Sequence, residues 1–80
     1  MEYSSHAQAR LKVRNIKGDE VERVLLSPQE LYFDVVTGNL VAIGRRAFRS
    51  HHWLIVVYTR YNEVYRVITI IDAKSLDRII

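Results

Sequence analysis

The 80-residue chain contains no cysteine. Neither a disulfide framework nor a thiolate metal centre is open to it, so apolar packing, alone or with a partner copy, must hold it together. One proline and three glycines are too few for a Pro-rich linker or a low-complexity segment, and no Gly-rich phosphate loop or nucleophile motif is present. No segment approaches the ~20 apolar residues of a membrane helix. The start, Met1-Glu2-Tyr3-Ser4-Ser5, lacks the basic and apolar regions of a secretion signal. A soluble, cytoplasmic protein is the expectation, with no membrane partner. His51 and His52 are adjacent but have no spaced third ligand, so no metal and no cofactor are expected.

What is present is a chain that is 49% hydrophobic, enough for one core and too little for two, which predicts a single domain over 1–80. The formal charge is +3 and the sequence pI about 9.5. Arg10, Lys12, Arg14 and Lys17 cluster near the start and Arg45, Arg46 and Arg49 form a second group, with Asp19, Glu20 and Glu22 between them. Segregated positive charge favours an anionic partner: RNA, DNA or an acidic protein segment.

Ser4 and Ser5 are able to cap a helix, and no Gly or Pro interrupts the run from His6 to about Asn15. His6, Arg10 and Arg14 recur every four residues, which stacks them on one helix face as a cationic strip. An imidazole beside two guanidinium groups suits a phosphate and is able to move a proton near neutral pH; like charges at this spacing also occur on ordinary solvated faces. A second helix begins near Asp19 and Glu20, carries Val21, Val24 and Leu25 at helical spacing, and ends before Ser27-Pro28.

After Pro28 the pattern becomes extended. Leu31–Val36, the turn Thr37-Gly38-Asn39 and Leu40–Ile43 predict a hairpin. Residues 44–52 read as the end of its second strand plus a basic loop. Trp53–Thr59 is a continuous apolar run, expected to be a central strand covered on both faces. A turn at Arg60–Glu63 leads to an antiparallel strand Val64–Ile71, and the residues from Asp72 onward suggest a short terminal helix. The sum is α+β: two helices packed on a four-stranded antiparallel meander.

On several segments the chain resembles small domains of unknown function grouped with the BrnT, RelE and ParE toxins of bacterial and archaeal toxin–antitoxin modules. These segments are Ser5-His6-Ala7 with Arg10 and Arg14, Ile16 before an acidic helix, Ser27-Pro28, Thr37–Gly44, Val56-Val57-Tyr58 and Arg66-Val67-Ile68-Thr69. The resemblance implies a RelE-like ribonuclease fold, RNA as substrate, metal-free cleavage and a cognate antitoxin as protein partner; ParE-type members have a different target. RelE-type enzymes carry functional residues near the C-terminus, where this chain has only Arg78, so no terminal catalytic residue is expected. Metal-free cleavage needs a base, a phosphate clamp and an acid. His6, Arg10, Arg14 and Arg66 are the expected catalytic set, with Arg45 and Arg46 as RNA contacts and Tyr58 and Tyr65 as stacking or hydrogen-bonding groups. Two alternatives stand beside this expectation: a non-catalytic module that binds nucleic acid or protein, and a small homodimeric regulatory protein.

Overall fold

The computed structural model describes residues 1–46 and 51–76. Strand β1 (Glu2–Tyr3) leads into helices α1 (Ser5–Val13) and α2 (Gly18–Leu26), followed by strands β2 (Glu30–Phe33), β3 (Leu40–Arg45), β4 (Trp53–Tyr61) and β5 (Val64–Ala73). The sheet has the order β1-β5-β4-β3-β2, antiparallel throughout except for the parallel β1–β5 pair. The α+β class and the helix–helix–meander order are as expected, but the sheet has five strands and is mixed. The extra strand is two residues long, too short to leave a periodic signal. Its place is fixed by Ser4, whose N–H donates to the carbonyl of Val67 at 2.9 Å.

Ser4 also starts α1. Its Oγ accepts from the Ala7 N–H at 3.0 Å and donates to the carbonyl of Ile68 at 2.6 Å. That carbonyl lies where the β4–β5 register shifts, next to the Tyr58–Val67 pair. A bulge leaves backbone groups outside the ladder, and here a helix cap takes one of them, tying the start of α1 to β5. The helix ends in a Schellman turn: Asn15 adopts a left-handed φ of 52°, Asn15 N–H donates to the Lys12 carbonyl, and Ile16 N–H donates to the Leu11 carbonyl. Ile16 is thereby buried with Leu11 packed against the core.

Both helices cover one face of the sheet. Ala7 of α1 and Val21, Val24 and Leu25 of α2 pack with Ala42, Leu54, Val56, Tyr58, Val67 and Ile70. Gly44 admits α2 closely, since a Cβ there would lie 3.1 Å from Val24 Cγ2. Strand β4 sits mid-sheet, and Leu54, Ile55 and Val56 are buried in succession, as a strand covered on both faces requires. The terminal helix expected from Asp72 onward does not start there: Asp72 and Ala73 continue β5, and residues 77–80 lie outside those described, as does the 47–50 part of the expected basic loop. No helix among the described residues is long and apolar enough to cross a membrane.

Candidate nucleic-acid interface

Helix α1 gives the core Ala7 and part of Leu11, and its outer face is open. His6, Ala9, Arg10 and Val13 line a shallow groove along it. A second depression of about 310 Å³ is lined by Val13, Arg14, Asn15, His52, Asp72 and Lys74. The two share Val13 and are taken together as a trough, His6 and Arg10 lining the first depression and Arg14, His52 and Lys74 the second. Among the described residues, His6, Arg10, Arg14 and Lys74 have no carboxylate partner. Asp72 is the single acid among the described residues that line the trough, and its charge is committed elsewhere.

That commitment runs through a buried ionic chain. Arg46 donates from Nε and Nη2 to Glu20 at 3.3 and 3.0 Å, from Nη1 to Asp72 at 2.8 Å, and from Nη2 to the carbonyl of Asn15 at 3.2 Å. The other oxygen of Asp72 lies 2.7 Å from His52 Nδ1. Glu20 additionally accepts from the Lys17 N–H at the start of α2, at 3.2 Å. Burial opposes the charge of Asp72, but the hydrogen bonds and positive charge of His52 and Arg46 outweigh it and hold the carboxyl below its ordinary 3.8. A carboxylate only accepts, so Nδ1 of His52 carries the hydrogen and Nε2 is the free ring nitrogen. Nε2 has no hydrogen bond to a described residue, and His52 is one of the residues that line the second depression.

The expected site residues separate into three groups. His6 and Arg10 line the groove on α1, and Arg14 lines the adjoining depression with His52. Arg45 and Arg66 lie on the opposite face of the sheet, because Gly44 and Arg46 face α2 while Val67 and Tyr65 pack toward the core, and strand neighbours alternate. Arg45 stacks over the Trp53 ring at 4.1 Å, and Arg66 is paired in register with Thr59 and Glu2. The third group is turned inward. Arg46 is buried with its guanidinium spent on Glu20 and Asp72, and Tyr58 is buried, its hydroxyl pushed up by burial and by Tyr65. Tyr65 stacks on Tyr58 at 5.5 Å with Arg60 over its ring at 5.1 Å, leaving little of that ring for a base.

His52, Asp72 and Lys74 escaped the sequence reading. Asp72 shares the core-facing parity of Ile70 on β5, and Glu20 falls within the buried stripe of α2; a charge at such a position needs a buried partner. That signal was available. A separate depression of about 380 Å³ between α2 and β3 is lined by Arg23, Ser27, Gln29, Gly44 and Arg45 among others, but it presents no imidazole among the described residues. Among the described residues no three His, Asp or Glu side chains come together as a metal site. The model of the family described as Domain of unknown function (DUF4258) matches residues 3–80. No curated protein and no solved structure matches the chain.

Proposed function

The chain belongs to the DUF4258 family, and from the geometry of α1 we propose that it is a toxin-like endoribonuclease that holds single-stranded RNA by its phosphates and cleaves it without a metal. The observation that carries this reading is the pair of adjoining depressions, one lined by His6 and Arg10 and the other by Arg14, His52 and Lys74, in which the one carboxylate among the described lining residues is neutralised by Arg46. Such a surface attracts a polyanion, and its two imidazoles are groups able to take and give a proton. The two helices preceding the antiparallel run β2–β5 support a RelE-like fold, with β1 as an addition. A cognate antitoxin covering the trough is the protein partner that this reading carries.

Binding to a labelled single-stranded RNA across roughly 50 to 200 mM salt tests the interface, because each phosphate contact on a single strand adds about −0.7 to the slope of log affinity against log salt. Contacts from Arg10, Arg14 and Lys74 give a slope near −2, and Arg14→Ala removes about one third of it. A salt-independent affinity contradicts the reading.

A homodimer is the second reading, favoured by edge strand β2. Leu31, Tyr32 and Phe33 are exposed there, as are Val35 and Val36 in the loop after it. An apolar strand edge is a template for pairing with another chain. Sedimentation over a wide concentration range decides it: a mass that stays monomeric throughout excludes the dimer.

A further inference from the structure

We propose that His52 is the proton-transfer residue of the RNA site, with Asp72 setting its imidazole and Arg14 and Lys74 holding the phosphate that it acts on. This rests on the RNA-cleavage reading and deepens it. His6 is exposed on α1 with no group among the described residues to fix its ring. The His52 side chain, by contrast, is only 10% exposed, and its Nδ1 is anchored on Asp72 at 2.7 Å. Asp72 is itself fixed by Arg46, and Arg46 by Glu20 and the Asn15 carbonyl, so the ring is oriented from three elements of the fold. Its Nε2 has no hydrogen bond to a described residue, and His52 lines the same depression as Arg14 and Lys74. An imidazole oriented by a carboxylate, with its second nitrogen free beside cations, is the arrangement that general-base catalysis on a phosphodiester requires.

In the step, Nε2 takes the proton of a ribose 2′-hydroxyl. The 2′-oxygen bonds to the adjacent phosphorus, the phosphorus–O5′ bond breaks, and O5′ takes a proton from water. The products are a 2′,3′-cyclic phosphate and a 5′-hydroxyl, and His52 returns its proton to solvent. Arg14 and Lys74 balance the charge that builds on the phosphorane oxygens. The groups facing the imidazole are Asp72 from β5, Arg46 after β3, Arg14 at the end of α1, Lys74 after β5, and the neighbouring His51 ring at 4.4 Å.

The full chain is incubated with single-stranded RNA in chelator across neutral pH, comparing the parent with His52→Gln, Asp72→Asn and Glu63→Gln. His52→Gln keeps a donor for Asp72 and should lower the cleavage rate at saturating RNA by about 10²–10⁴. Its RNA affinity should stay within about threefold of the parent, since Arg14 and Lys74 make the phosphate contacts. Asp72→Asn should lower the rate and displace the pH profile, and Glu63→Gln, exposed in the turn between β4 and β5, should leave both unchanged. Cleavage by His52→Gln at the parent rate overturns the assignment. A parent that binds RNA with the expected salt slope but never cleaves also overturns it while leaving the RNA interface standing; a parent that does not bind RNA removes both. An NMR experiment on the parent needs no variant: inorganic phosphate should shift the ring signals of His52, and unchanged signals count against the proposal.

Discussion

Replacing Arg46 with methionine removes one guanidinium from between two carboxylates. Glu20 and Asp72 side chains are 3% and 8% exposed, and Arg46 makes the hydrogen bonds that neutralise both, at 3.0 Å and 2.8 Å. Breaking a buried pair by deleting one partner costs about 3–5 kcal/mol, because the remaining charge is stranded in the interior. A domain of this size holds only about 4–12 kcal/mol in total, so Arg46→Met should leave the protein close to its unfolding threshold. At about 4–8 °C per kcal/mol, its melting point should fall by at least ~12 °C. Urea unfolding followed by circular dichroism gives the free energy, with Arg14→Ala as a surface control expected within about 0.5 kcal/mol of the parent. Adding Glu20→Leu to Arg46→Met removes one of the two carboxylates that Arg46 neutralises and should recover part of the loss. A cost below about 1 kcal/mol for Arg46→Met would refute the buried chain and return Arg46 to a solvated basic loop.

Three further outcomes are set by the fold. Asp72 has a folded pKa below its ordinary 3.8, so the stability it contributes is complete above about pH 4 and is lost as the pH falls through the folded value; melting points measured down to pH 2 should drop, less steeply in Asp72→Asn. Ser4→Ala loses the cap to Ala7 and strands the Ile68 carbonyl, together about 2 kcal/mol, and a thermal melt should fall by roughly 8–16 °C. Gly44→Ala presses a methyl group against Val24, a buried β-branched residue on a helix with one favoured rotamer, and should cost about 1–3 kcal/mol by urea unfolding, with Val24→Ala as a suppressor.

Much of the fold was legible because its signals are local. Ser4 as a cap, the break at Asn15–Lys17 and the hairpin turns stand in consecutive residues, and the apolar run at Trp53 marked the central strand. Strand β1 and the bulge beside Ile68 were not legible: both depend on a pairing between the two ends of the chain, which no local pattern encodes. The candidate site divided along the same line. His6, Arg10 and Arg14 are set by helical spacing, with His6 and Arg10 lining one depression and Arg14 the next. Grouping Arg45 with Arg46 failed because residues adjacent in a chain that has just left a strand point to opposite faces, one over Trp53 and the other between Glu20 and Asp72. His52 and Asp72 are 20 residues apart and meet only because β4 and β5 pair.

The central claim is RNA cleavage at the open face of α1, and the most direct measurement is the fate of a single-stranded RNA in chelator with the parent and with Arg14→Ala. The account predicts 5′-hydroxyl and 2′,3′-cyclic phosphate ends from the parent, and a rate lower by about 10² in Arg14→Ala, the scale for losing one group that stabilises transition-state charge. RNA left intact by the parent, or cut equally by both proteins, would contradict it.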